Sequence, residues 1–264
     1  MIYYNKNIEK DLNFQNNNFF VVLDFDKTIT TRDSANSWAV FNNEKYFCYE
    51  AHKEIQELSA YYVPIEINYD LPLEERKEKV IEWYTRNIDV FYRHNLTKEI
   101  LYNCIEDSNL EFRDGIKELL EYCHNNGIHV IIVSAGIRNV IEEFLEKQDC
   151  VYDNIHILSN KIEFENGKMI KFRGHMIHTF NKNMNSLPED LKQELSSKES
   201  ILLVGDLIED ISIVDEKDLY KTLTVGILES KVEENLDVYQ EKYDVVLTED
   251  DATFTKVMEI IGKN

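Results

Sequence analysis

The stretch Phe19-Phe20-Val21-Val22-Leu23-Asp24-Phe25-Asp26-Lys27-Thr28 decides how this chain is read. Its apolar run, residues 19–25 with one acid embedded near the end, is short and lacks the alternation of a strand with one wet face. Such a run predicts a strand buried on both sides. It stops in two acids, a lysine and a threonine, so polar chemistry is placed where the strand ends. Working outward, comparable runs occur at 128–133, 155–158, 201–204, 222–227 and 243–247. Helix-period stretches lie between them: Ile116, Leu119, Leu120 and Cys123, then Val140, Ile141, Phe144 and Leu145, then segments around 187–197, 231–242 and 252–261. Strand and helix alternate, which predicts an α/β fold: a doubly wound, mostly parallel, Rossmann-like sheet with helices on both faces.

Two segments depart from the alternation. In Lys161–Phe172, Asn166-Gly167 separates two short alternating pieces and offers the positive φ angles of a tight turn, predicting a small β-hairpin at the side of the sheet. Residues 34–111 contain no buried-strand run, and Val80, Ile81, Tyr84, Ile88 and Phe91 mark one helical stripe. They are read as an inserted, mainly helical cap that recognises substrate. The core is then 1–33 plus 112–264.

Ligands in an open parallel sheet bind beyond the carboxyl ends of the strands. Three such ends carry chemistry here: Asp24-Phe25-Asp26-Lys27-Thr28, Ser134-Ala135-Gly136, and Gly205-Asp206 with Asp210 one helical turn later. Carboxylates converging in one crevice need a compensating cation, and oxygen donors with room for water and phosphate suit Mg²⁺. Ser134 and the amides after it, expected at a helix N-terminus, are suited to phosphate oxygens.

Composition excludes other classes. The chain has 264 residues, with 29 Lys and Arg against 50 Asp and Glu and a formal charge of −21. That charge repels phosphate polyanions, so a nucleic-acid partner is not expected. No apolar run approaches the roughly 20 residues of a membrane span, and the first residues lack a secretory signal, so a cytoplasmic protein without a membrane partner is expected. Cys48, Cys104, Cys123 and Cys150 form no C-x-x-C pair and read as reduced thiols. A monomer is expected.

The set DFDKT, SAG and GDxxxD resembles the haloacid-dehalogenase-like phosphohydrolases. A narrower resemblance, to the pyrimidine 5′-nucleotidase (cytosolic 5′-nucleotidase III) family, rests on Tyr61-Tyr62, Ile65-Glu66-Ile67, Glu82-Trp83-Tyr84-Thr85, VSAGIRNVIEEFL at 133–145, the hairpin with Gly174, Ile177-His178-Thr179-Phe180-Asn181-Lys182, and the run from Val225-Gly226 to Leu247. The resemblance implies Asp24 as nucleophile and Asp26 as general acid and base. It implies Mg²⁺ at Asp24, Asp26 (through its carbonyl) and Asp206, with Asp210 assisting. Ser134, Ala135 and Lys182 would hold phosphate, Lys182 also steadying the nucleophile. Glu66 would accept hydrogen bonds from a base, Trp83 and Tyr84 would stack on it, and Ser37 and Trp38 complete the nucleoside-binding candidates. The implied activity is Mg²⁺-dependent hydrolysis of nucleoside 5′-monophosphates, pyrimidine ones foremost, with the cap closing over the nucleoside. Another small phosphomonoester such as phosphoserine or a sugar phosphate, nucleotide binding without turnover, and phosphoryl transfer to a nucleoside stay open as alternatives.

Two departures stand out. The family usually has serine after the aspartate of GD, where this chain has Leu207; the carboxylate ligands are unaffected. Ser34–Trp38 also differs from the longer vertebrate version. His178 is read as structural, because no step needs an imidazole, and His94, His124 and His129 show no metal-ligand spacing.

Overall fold

The computed structural model describes residues 1–5, 10, 12–68, 70–173 and 175–263; Gly174 lies outside them. Among the described residues, eight strands form one sheet. They are β1 (Ile2–Tyr4), β2 (Phe19–Leu23), β3 (Val130–Ile137), β4 (Ile155–Glu165), β5 (Lys168–Arg173), β6 (Ser200–Gly205), β7 (Thr222–Ile227) and β8 (Val245–Leu247). Their spatial order is β1-β8-β7-β6-β2-β3-β4-β5, with the outer strands β1 and β5 antiparallel to their neighbours and the rest parallel. The α/β reading holds. β1, only three residues long and without a buried position, escapes sequence analysis.

β2 is fully buried, and its alternation assigns the two layers. Phe19, Val21 and Leu23 pack in one cluster with residues of helices α4 (Ile116–Asn125), α5 (Arg138–Lys147) and α8 (Phe254–Ile260). Phe20 and Val22 pack in another with Leu191 and Leu195 of α6 (Glu189–Ser196). Successive strand residues point to opposite faces, so a continuous apolar run is what a strand covered on both sides requires. The chain moves from β2 outward through β3, β4 and β5, then returns to β6 on the other side of β2. The carboxyl end of β2 therefore sits at the reversal of strand order, where a crevice opens.

The hairpin is more integral than its sequence indicated. β4 pairs with β3 over Ile155–Asn160 and then, without ending, with β5 over Lys161–Glu165. Asn166 and Gly167 make its turn with φ of 50° and 78°.

Between β2 and α4 run α1 (Tyr49–Glu66), α2 (Leu73–Arg93) and α3 (Lys98–Glu106). The buried face of α2 differs from the predicted stripe. Val80, Trp83, Tyr84, Asn87, Val90 and Phe91 are buried, while Ile81 is exposed. The helix is rotated toward its aromatics, which join a continuous cluster: Trp38 to Tyr84 at 4.7 Å, Trp83 to Tyr84 at 5.4 Å and Phe41 to Phe91 at 4.6 Å between ring centroids. Large rings bury more area than one isoleucine, so they set the rotation. Among the described residues, no helix is long and apolar enough to cross a membrane, and the four cysteines are unpaired.

Candidate active site

The helical turn after β2, Phe25–Ile29, is interrupted at Lys27, whose φ is 66°. This tight reversal separates the two acids of the motif. Asp24, 2% exposed, faces inward, and its Oδ1 accepts a 2.6 Å bond from Lys182 Nζ. Asp26 turns elsewhere: the Ser37 amide donates to Oδ1 at 2.8 Å and the Ser37 hydroxyl to Oδ2 at 2.7 Å.

Lys182 also donates to Asp210 Oδ1 at 2.7 Å. Asp210 is fully buried, and its Oδ2 accepts from the Leu207 amide at 3.0 Å, which tightens the turn after β6. Leu207 serves this turn through its main chain; its carbonyl accepts from the Tyr243 hydroxyl, and the Asp206 carbonyl accepts from Tyr239 at 2.6 Å. The serine-to-leucine departure thus leaves the local framework whole. Tyr239 and Tyr243, one helical turn apart around the end of α7 (Val232–Lys242), were missed by sequence analysis. Their spacing on one helix face was the available signal.

Oxygens of Asp24, Asp206 and Asp210 lie within 4.8 Å of one another. Burial raises the Asp24 carboxyl from 3.8 to about 7, with Lys182 opposing the rise and Asp210 adding to it. Burial also lifts Asp206 well above the ordinary carboxylate range, reinforced by Asp24 and Asp210. The Asp26 carboxyl is raised by burial against the Ser37 hydrogen bonds. For Lys182, burial alone would lower the pKa, but Asp210 and Asp24 outweigh it and hold the ammonium well above its usual value. Three carboxylates share one ammonium here, leaving negative charge that a hard cation with oxygen preference would offset. The donor set fits such an ion. The Asp26 carboxylate is outside the group, because Ser37 holds it.

The Ser134 region corrects an expectation. Helix α5 begins at Arg138, so Ser134 and Ala135 lie in the irregular end of β3, where the pairing with β4 shifts between Val133 and Ile137. The bulge carries the chain past the crevice before the helix starts. Two of the following amides already have partners: Gly136 N donates to Ser134 Oγ at 3.0 Å and Ile137 N to Ser37 Oγ at 3.2 Å. Asn160 of β4 clips this segment to the loop that bears Lys182, donating to Ala135 O at 2.8 Å and exchanging two bonds with Ile177. His178 Nδ1 accepts from Phe180 N at 3.2 Å, in keeping with a structural role in the same loop.

A cavity of about 470 Å³ opens over these groups. Asp24, Asp26, Ser134, Ala135, Lys182 and Asp206 line its floor, and Trp38, Glu66, Trp83 and Tyr84 line its helical wall. Of the sequence candidates, Ser37 and Asp210 do not line it; they act behind Asp26 and Lys182. Ser37 is therefore placed against the DxD loop rather than at a nucleoside. Trp38 Nε1 is bonded to Ala135 O at 3.0 Å, which fixes its ring at the wall. The Glu66 carboxylate accepts a short bond from the Thr179 hydroxyl, and burial raises its pKa.

The chain is similar to known proteins. The pyrimidine 5′-nucleotidase (UMPH-1) family profile matches residues 26–263. The 7-methylguanosine phosphate-specific 5′-nucleotidase of Homo sapiens is 31% identical over 239 residues, covering 88% of this chain and 80% of that one. Its Drosophila melanogaster counterpart is 28% identical, covering 87% and 75%. The crystal structure of cytosolic 5′-nucleotidase IIIB bound to cytidine superposes with a TM-score of 0.80 at 26% identity, over 94% of this chain and 86% of that one. A phosphoserine phosphatase in apo form shares the fold at a TM-score of 0.55 and 14% identity, covering 95% and 98%. With the profile spanning nearly the whole chain, this protein belongs to the pyrimidine 5′-nucleotidase family, a family of phosphomonoester hydrolases.

Proposed function

We propose that this chain hydrolyses nucleoside 5′-monophosphates, pyrimidine ones foremost, to nucleoside and inorganic phosphate through an aspartyl-phosphate on Asp24. The observation that carries this reading is that Asp24, Lys182 and Asp206 open into the same cavity as Glu66, Trp83 and Tyr84. Phosphate chemistry and a base-sized aromatic wall thus face one another. A relative solved with cytidine and relatives named for 7-methylguanosine phosphate support a nucleoside in that space.

An Asp24 oxygen attacks phosphorus, and the bond from phosphorus to the nucleoside 5′-oxygen breaks. Asp26, protonated, gives its proton to the departing oxygen. Its carboxylate then takes a proton from water as that water attacks the phospho-aspartate, releasing phosphate and restoring Asp24. Ser134 hydrogen-bonds phosphate oxygens, and the Lys182 ammonium offsets their charge while holding Asp24 in line. Asp24, Asp206, Asp210 and the Asp26 carbonyl would hold Mg²⁺, which supplies charge stabilisation to the transferring phosphoryl group. Residues 34–111 act as the cap: Glu66 accepts hydrogen bonds from the base, Trp83 and Tyr84 provide ring contacts, and the segment excludes bulk water.

The test is phosphate release from CMP, UMP, 7-methyl-GMP, AMP, phosphoserine and sugar phosphates, with Mg²⁺ or EDTA, for wild type and Asp24→Asn. Mg²⁺-dependent release from nucleotides that is lost in Asp24→Asn is the expected result. Release that ignores the nucleoside sinks the reading.

A further inference from the structure

One buried cation near the site touches none of the groups assigned above to phosphate. Arg76, in the first turns of α2, is 5% exposed, yet it does not line the cavity. Its guanidinium makes a fork onto the Glu66 carbonyl, Nε at 2.9 Å and Nη2 at 2.6 Å. Nη2 also reaches Glu209 Oε1 at 2.9 Å, and the planar group lies 4.9 Å from the Phe180 ring centroid.

These contacts join parts of the chain that are remote in sequence. Glu66 ends α1 and Arg76 belongs to α2, both in the helical segment after β2. Glu209 immediately precedes Asp210, and Phe180 sits two residues before Lys182, both in the core. A second link runs alongside, from the Glu66 carboxylate to Thr179. Arg76 satisfies a carbonyl at the C-terminal end of α1, where intrahelical partners run out. It does so while desolvated and paired with an acid across the two parts. Guanidinium geometry suits this combination of fork, ion pair and ring stacking, which an ammonium cannot reproduce.

We infer that Arg76 is a positioning residue that latches the helical segment onto the core and thereby fixes Glu66 for the nucleoside, an inference that rests on the nucleotidase reading. It acts through Glu66 and does not touch the reacting atoms. Its loss frees the α1 end and costs nucleoside recognition more than phosphoryl transfer.

The experiment compares wild type, Arg76→Ala, Arg76→Lys, Glu209→Gln and the doubly substituted Arg76→Ala, Glu209→Gln protein, with CMP and with p-nitrophenyl phosphate, which has no nucleoside. Arg76→Ala is expected to raise KM for CMP about tenfold to a hundredfold, the scale of a misplaced binding group, with a clearly smaller change for p-nitrophenyl phosphate. Arg76→Lys should recover part of the loss, and Glu209→Gln should cost less in the Arg76→Ala background than in wild type. Hydrogen exchange of the amides around 62–67 reports the latch without catalysis, and it should accelerate in Arg76→Ala. Equal losses on both substrates, or unchanged exchange, overturn the inference. If Arg76→Ala does not fold, the same criteria apply to Arg76→Lys and Glu209→Gln. If wild type cleaves no nucleotide, the proposed function falls, and the exchange comparison alone decides whether Arg76 latches the segment.

Discussion

Lys182 Nζ stands 2.6 Å from Asp24 Oδ1 with both side chains almost fully buried. The ammonium is shared with Asp210 at 2.7 Å, so one cation holds Asp24 and the turn after β6 in register. Removing one partner of a buried pair leaves charge uncompensated and costs about 3–5 kcal/mol.

Lys182→Met is therefore expected to lower stability by about that amount and kcat by roughly a hundredfold to a thousandfold, the usual scale for losing one electrostatic stabiliser. Urea denaturation and steady-state kinetics check the two effects separately. A variant with near-wild-type kcat refutes the role given to the lysine.

Stability in EDTA is expected to depend on pH through Asp24. Its carboxyl rises from 3.8 to about 7 on burial, so between those values the folded state holds the proton that the unfolded state has lost. The contribution of this group to stability then falls as pH rises through the window and changes little above it. Asp24→Asn should weaken the dependence, leaving the part contributed by the raised carboxyls of Asp26 and Asp206. Thermal melts of both proteins from pH 4 to 8 read the difference, at roughly 2–4 °C in Tm per kcal/mol for a chain of this size.

Mg²⁺ should raise Tm more at pH 8 than at pH 5.5, because protons compete with a cation for Asp24 and Asp206. The same melts with and without millimolar Mg²⁺ test this. An identical shift at both pH values contradicts cation binding by these carboxylates.

Ser37→Ala removes the hydroxyl that donates to Asp26 Oδ2 at 2.7 Å. The expected loss is in kcat, about tenfold for a mispositioned proton carrier, and equal for CMP and p-nitrophenyl phosphate. A selective KM effect on CMP would return Ser37 to the nucleoside side of the site.

Gly136→Ala is expected to abolish activity. A Cβ there would meet Ser37 Oγ at 1.9 Å, Asp26 Oδ2 at 2.9 Å and Ser134 Oγ at 3.0 Å, so the substitution displaces three site groups together. Activity comparable to wild type would show that this loop rearranges readily.

The fold was legible because each central strand carries its own signature. Phe19–Leu23 is apolar on both faces, and the hydrophobic effect allows such a segment few resting places other than a covered sheet. That Asp24, Asp26, Ser134 and Asp206 face one cavity was legible for a related reason: strand ends in an open sheet converge, so motifs at those ends meet whatever lies between them. Lys182, in a loop away from any strand end, was not legible in this way. Family resemblance then supplied roles that spacing alone does not give.

Which side chains those groups lean on is set by contacts between remote parts of the chain. Ser37 binds Asp26 across eleven positions, Arg76 binds Glu209 across 133, and Asn160 joins the Ser134 segment to the Lys182 loop. Such contacts follow from chain crossings and from how α2 rotates to bury Trp83 and Tyr84, and neither is written in local periodicity. Local sequence fixed the elements and the chemistry at their ends, because burial and turn geometry act over a few residues. The orientation of that chemistry came from long-range packing, because a buried polar group takes whichever partner the folded chain brings within hydrogen-bond reach.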